Sequence, residues 1–281
     1  MLQTSDKFPL ASRARRLLEQ VLAEASRPEP ADSQLLSINH HACGRILASR
    51  LPFLKSLPEL FARRFAFSPG RVELTLSDDL LERNDFLARL ASYAYEQGEI
   101  RKWRNELLDI RDFSGTVVLG QAERTFFRLL GLTTYCVHAA ARSADGRIFL
   151  ARRSRRKSVS PGLWDTLAGG MVSAGESWET SLKREIDEEA GLAAEQFELL
   201  APAAPVTVLR PVPEGWMREV SITYPVLVAD GAEPRNRDGE VECFELVSPD
   251  EAVQRIEQGE VTVEASIALL SLPCFAEQND S

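Results

Sequence analysis

The segment running Gly169-Gly-Met-Val-Ser-Ala-Gly-Glu-Ser-Trp-Glu-Thr-Ser-Leu-Lys-Arg-Glu-Ile-Asp-Glu-Glu-Ala-Gly-Leu192 constrains this chain more than any other. A glycine-rich stretch leads straight into a charged helix. Ser177 is placed to cap that helix, Glu179 puts an acid in its first turn, and Gly191 supplies its stop. Trp178, Leu182, Ile186 and Ala190 recur every four residues and form the stripe the helix must bury. Glu185, Glu188 and Glu189 stand at i, i+3 and i+4, so their carboxylates share one face. Three like charges that close repel each other. A hard divalent cation removes the conflict, and all-oxygen ligands suit Mg²⁺ or Mn²⁺. The glycines ahead of the helix let backbone approach the same place, with carbonyls for a metal or amides for a phosphate.

The rest of the chain sets this segment in a larger protein. Its 281 residues are enough for two domains, and 44% hydrophobic with 27% charged is an ordinary globular balance. We expect a smaller, mainly helical α+β N-terminal domain over 1–120 and an α/β (α+β) domain over 121–281, with a soft boundary in 112–132. In the leader, residues 11–25 carry a helical stripe. Residues 45–65 suit short helices broken near Pro52 and Pro58, 72–76 alternate as a strand, and 78–97 read as a helix ending near Gly98. Beyond 133 come a strand to Ala141, a turn at Asp145-Gly146 and a return strand over 147–151. Helices are expected over about 249–258 and 264–271. The net charge of −9 argues against a general nucleic-acid or anionic-membrane binder. No run of 18 apolar residues suggests a membrane span. Cys43, Cys136, Cys243 and Cys274 form no C-x-x-C pair, which fits reduced thiols in a cytoplasmic protein.

From Gly170 to Leu192 the segment satisfies Gly-x5-Glu-x7-Arg-Glu-[aliphatic]-x-Glu-Glu-x-Gly-[aliphatic] at every fixed position. In this it resembles the Nudix hydrolases. That resemblance implies an α/β/α sandwich with a mixed sheet and the hydrolysis of a small-molecule diphosphate. It also implies Glu188 and Glu189 as principal metal ligands, and Glu185 as a further ligand or the group that deprotonates water. The carbonyl of Gly169 would complete the coordination. Arg184 and Glu176 would form an ion pair that fixes the loop, with Gly170 and Gly191 supporting the site. Nudix enzymes often add a carboxylate from outside the box. The run Asp238-Gly-Glu-Val-Glu242 offers Glu240, with Glu242 next, on one side of a strand.

Further segments are similar to one subgroup, the Nudix proteins related to fungal thiamine pyrophosphokinase fusions. They are Trp103-Arg-Asn-Glu106, Glu123-Arg124, Leu130-Gly-Leu132, Arg152-Arg-Ser-Arg-Arg-Lys157, Pro161-Gly-Leu-Trp-Asp-Thr-Leu-Ala-Gly-Gly170 and Asp238-Gly-Glu-Val-Glu-Cys-Phe244. The subgroup implies thiamine diphosphate, or its oxo and oxy forms, as substrate. Arg153 and Lys157 would meet phosphate, and Trp164, Asp165 and Trp216 would meet the ring or order the loop. The alternatives are a Nudix hydrolase of ADP-ribose, NADH or CoA, and a ligand sensor. The retained carboxylates weigh against the sensor. Ala168-Gly-Gly-Met171 stands where the related isopentenyl diphosphate isomerases place a reactive Cys and a His, which weighs against isomerisation.

Overall fold

In the computed structural model, residues 9–157, 159–212 and 215–275 are described. The leader opens with α1 (Leu10–Ala25), followed by β1 (Gln34–Ile38), β2 (His41–Ile46), α2 (Leu51–Lys55), α3 (Glu59–Ala62), β3 (Phe65–Ser68) and β4 (Arg71–Leu74). The four strands form a sheet in the order β2-β1-β4-β3, antiparallel except for the β1–β4 pair. Then come α4 (Leu80–Glu96), a hairpin of β5 (Leu107–Arg111) and β6 (Val118–Glu123), and α5 (Phe126–Leu130). Asp79 caps α4 by accepting from the Glu82 N–H at 3.0 Å. The leader core is made of Leu36, Ile38, Leu74, Leu87, Leu90, Phe126 and Phe127, all fully buried.

The helical segments fall close to where periodicity puts them. The leader holds more sheet than that periodicity suggests. Strands β1, β2, β3, β5 and β6 are only four to six residues long. Gln34–Ile38 ends in three consecutive buried residues and does not alternate. Such strands take their identity from pairing partners distant in sequence.

The second half comprises β7 (Thr133–Arg142), β8 (Ile148–Arg153), β9 (Trp164–Asp165), β10 (Ala168–Met171), α6 (Trp178–Glu185), β11 (Phe197–Leu199), β12 (Val206–Val212), β13 (Gly215–Val228), β14 (Val241–Val247), α7 (Pro249–Glu257) and α8 (Val263–Leu270). The sheet path is β11-β13-β7-β8-β14, with β10 on β7, β12 on β13 and β9 on β8. The β13–β7 pair is parallel and the others are antiparallel, so the sheet is mixed. Alternation sorts the two faces. Val137, Ala139 and Phe149 pack with Leu182 of α6 and Ile186 just beyond its end. Ala140, Ile148 and Leu150 pack with Val253 of α7 and Ala265 and Leu269 of α8. The result is an α/β/α sandwich.

The outer layer beside α8 also includes α1. Its stripe of Leu10, Ala14, Leu17, Leu18 and Val21 packs against the α7–α8 core, and the Arg27 N–H donates to the Leu209 carbonyl of β12 at 2.8 Å. Among the described residues, no helix is long and apolar enough to cross a membrane.

Candidate active site

The box begins on β10. Its Gly170 lies opposite Val137 of β7, and the Glu185 side chain packs on its backbone. A Cβ at Gly170 would fall 2.2 Å from the Glu185 Cδ, so only glycine leaves room for that carboxylate. Ser177 caps α6 by accepting from the Thr180 N–H at 3.1 Å. Leu182, Ile186 and Ala190 are fully buried, as the stripe requires. Gly191 closes the helix at φ +64, and the Ala190 carbonyl accepts from Arg235 N–H at 2.7 Å.

The helix does not remain α to its end. Ile186–Ala190 is a π-helical turn. The three glutamates differ in exposure. Glu189 is buried, Glu185 is largely covered, and Glu188 is about half exposed.

Arg184 holds one end of the site. Its guanidinium donates to Glu176 from Nη2 at 3.0 Å, to Glu185 from Nη1 at 2.8 Å, and to Glu188 at 3.2 Å. It also donates to the Met171 carbonyl at 3.2 Å, which ties loop to helix. Hydrogen bonding from Arg184 keeps the Glu176 carboxyl below its ordinary value. Glu185 moves the other way. Burial raises it and nearby Glu188 and Glu106 add to the rise, against the pull of Arg184.

The other end is built around Lys157. Its Nζ lies 3.3 Å from Glu189 and also bonds Glu240. Glu189 further accepts from the Gly169 N–H at 2.9 Å. Burial pushes the Glu189 carboxyl up to about 7, against the charge of Lys157 and the Gly169 bond. Burial acts on Glu240 in the same direction, but Lys157, Arg153 and Arg124 together hold it below its ordinary value. Glu189, Asp238 and Glu240 can each offer an oxygen, all within 4.8 Å of one another. An all-oxygen donor set around one ammonium is the kind of place a hard divalent cation fits.

Glu240 and Glu242 do not behave as neighbours on a plain strand face. The β14–β8 register shifts between Val241 and Cys243. Glu240 joins the acidic cluster, while Glu242 accepts from the Arg155 N–H at 3.0 Å. Asp238 was not singled out as a ligand from the sequence, although the run that points to Glu240 contains it. Arg153 donates to Asp165 at 2.6 Å, which puts two expected substrate contacts into one ion pair beside the cluster. Trp164 and Trp216 are not brought to the carboxylates. Trp164 alternates with Asp165 on β9 and faces the α7–α8 core, with the Arg255 guanidinium 4.6 Å over its ring. Trp216 lies seven residues along β13 from Thr223, which pairs His138 beside Gly169, or about 23 Å at strand rise.

The leader reaches the box directly. The Ala174 N–H donates to the Leu107 carbonyl at 2.8 Å, and the Gly175 N–H to Asp109 at 3.3 Å. No local pattern in the sequence marks these contacts.

Residues 133–266 match the model of the NUDIX domain. An uncharacterized Nudix hydrolase of Streptomyces coelicolor is 44% identical over 87 residues, covering 31% of this chain and 48% of that protein. Nudix hydrolase 20, chloroplastic, of Arabidopsis thaliana is 28% identical over 187 residues, covering 64% of this chain and 50% of that protein. That share is larger than the stretch from residue 133 to the C-terminus, so the similarity extends into the leader. The chain thus spans about half the length of these curated relatives. Among solved structures, DR0079 from Deinococcus radiodurans aligns with 59% of this chain and 97% of its own, at 23% identity and a TM-score of 0.46. Glu189, Asp238 and Glu240 all fall inside the matched span, and residues 133–266 of this chain are a Nudix domain.

Proposed function

We propose that this chain is a divalent-metal-dependent pyrophosphohydrolase that cleaves a small-molecule diphosphate to a monophosphate. The observation that carries the reading is the gathering of Glu189, Asp238 and Glu240, two of them bonded by the Lys157 ammonium, beside the braced box helix. Thiamine diphosphate and its oxo and oxy forms are the proposed substrates. Their support is the set of leader and loop segments that resemble the thiamine-related subgroup.

Glu189, Glu240 and Asp238 would hold Mg²⁺ or Mn²⁺, with Glu185, Glu188 and the Gly169 carbonyl as further ligands. When bound, the metal supplies charge to the diphosphate oxygens and acidity to a water. Lys157 and Arg153 meet phosphate oxygens, Lys157 by turning away from Glu189 and Glu240. Asp165 holds the Arg153 fork in place. Glu185, lifted by burial, accepts the proton of the attacking water. The water oxygen bonds to phosphorus in line, the P–O bond to the bridging oxygen breaks, and that oxygen leaves with the second phosphate.

The test is product analysis by mass spectrometry of purified full-length chain with Mg²⁺. Thiamine diphosphate, its oxo and oxy forms, ADP-ribose, NADH and CoA would be offered in parallel. Monophosphates from the thiamine set support the reading. Cleavage confined to ADP-ribose, NADH or CoA would discard the thiamine assignment, and silence on all would discard the hydrolase.

A further inference from the structure

A cavity of about 210 Å³ lies between the β5–β6 hairpin, the first residues of β7 and the start of α6. None of the carboxylates of the acidic cluster lines it. Its wall includes Arg111, Thr133, Tyr135, Glu176 and Trp178. The Tyr135 and Trp178 rings meet edge to face with centroids 5.7 Å apart, and the Arg111 guanidinium lies 5.9 Å over Tyr135. The charged groups here are already engaged. Asp109 accepts from Arg111, Gln121 and the Gly175 N–H, and Glu176 is paired with Arg184.

A buried polar atom in the wall has no partner. The Thr133 Oγ1 belongs to a residue only 2% exposed, yet it has no hydrogen-bond partner. A buried hydroxyl without a partner is costly, and a ligand edge would relieve it. The cavity therefore pairs two aromatic rings with one waiting hydroxyl. It is smaller than the roughly 300–1,000 Å³ of pockets that take drug-sized ligands. That combination suits one planar heteroaromatic ring.

The cavity is also close to the chemistry. The Tyr135 carbonyl accepts from the Val172 N–H at 2.9 Å. Two residues further along β7, Val137 faces Gly170, on which Glu185 packs. Two residues of strand are about 7 Å. Glu176 lines the cavity and shares Arg184 with Glu185, so the two places are neighbours across one ion pair.

We infer that this cavity is a subsite for the organic end of the substrate: it takes one heteroaromatic ring, packed on Trp178 and Tyr135, with its edge bonded to the Thr133 hydroxyl. The inference rests on the diphosphate-hydrolase reading and adds the place where a ring carried by the diphosphate is held. It also gives the leader a task, because the hairpin that bonds the box loop supplies one wall of the subsite.

The experiment compares full-length wild type with T133V, in Mg²⁺, on two probes. One is thiamine diphosphate, which carries rings; the other is ethyl diphosphate, which carries none. T133V is close to isosteric, and equal melting temperatures would exclude misfolding. The expected result is a KM for thiamine diphosphate raised about 5- to 10-fold in T133V, the loss of one hydrogen bond. The KM for ethyl diphosphate should shift less than about twofold. Equal shifts on both probes, or none, would overturn the inference and leave the hydrolase reading standing. If wild type cleaves neither probe, the thiamine diphosphate assignment fails by itself. Calorimetric binding of thiamine diphosphate to wild type and T133V then decides the subsite, and equal affinities overturn it. Unphosphorylated thiamine is the remaining arm. If its binding weakens in T133V and yet it does not compete with diphosphate hydrolysis, the cavity serves a separate ligand and the inference is wrong.

Discussion

Two cations press against the box carboxylates, and they differ in kind. Arg184 spreads its planar fork over Glu176, Glu185, Glu188 and the Met171 carbonyl. Lys157 meets Glu189 and Glu240 through a single nitrogen on a four-carbon stem. A guanidinium with several fixed partners locks a geometry, while an ammonium is a point charge that can be exchanged for another cation. On the proposed function, the contrast divides the site into a part that stays still and a part that changes its occupant.

The largest expected effect tests the exchangeable end. Glu189→Gln should lower kcat by on the order of 10²–10³-fold, comparable to removing one preorganised group at a reacting centre, with the circular dichroism spectrum unchanged. Near wild-type turnover in excess Mg²⁺ would end the metal-ligand assignment. Next comes the fixed end. Arg184→Ala should cost about 10–100-fold in activity, as loss of a group orienting the ligands does, and also lower the melting temperature of the metal-free protein. Arg184→Lys should restore little, because a lysine cannot span the same acceptors. Full rescue by lysine would erase the distinction between the two cations.

A smaller effect lies in pH. With Glu189 standing up to about 7, the folded metal-free state keeps a proton that the unfolded state gives up near pH 4.3. Its contribution to stability is complete below that lower value and is lost as pH rises through 7. The melting temperature of chelator-treated protein should therefore fall between pH 5 and 7.5, and Glu189→Gln should flatten the slope. Parallel curves for the two proteins would assign the slope to other groups. The smallest effect is expected from Asp238→Asn, because Asp238 is exposed and shares its task with two other carboxylates. Calorimetry should show Mn²⁺ binding weakened about threefold to tenfold, at the low end for a group near a metal. A loss as great as that of Glu189→Gln would move Asp238 to the centre of the site.

The box was legible because its constraints are local. Ser177, Leu182, Ile186 and Gly191 act within one helix, and a spacing rule finds them. The π-helical turn at Ile186–Ala190 was not legible, since the same five residues are compatible with an α-helix. Asp238 enters the cluster only because the loop ahead of β14 folds back onto the helix end. There Arg235 bonds Ala190 and Arg237 pairs with Asp187, both across long separations. An aromatic beside a glycine-rich loop suggests a ligand wall, but strand alternation turns Trp164 inward and leaves Asp165 to face the site. Tyr135 and Trp178 carry no local mark of a cavity wall, because the leader hairpin that completes it is distant in sequence.

Because α1 lies on the α7–α8 core and Arg27 bonds β12, the chain enters the sandwich half before it forms most of the leader, and then returns at β7. The leader is thus tied to the sandwich at both of its ends, like a bridge deck on two piers, and the Leu107 and Asp109 bonds to the box loop add a tie between them. It cannot swing about a single joint. The same topology governs how the molecule can be dissected. A fragment starting ahead of β7 would lose α1 and bare the apolar side of α8, inviting aggregation. Excising the loop between α1 and β7 while rejoining its ends would keep that surface covered.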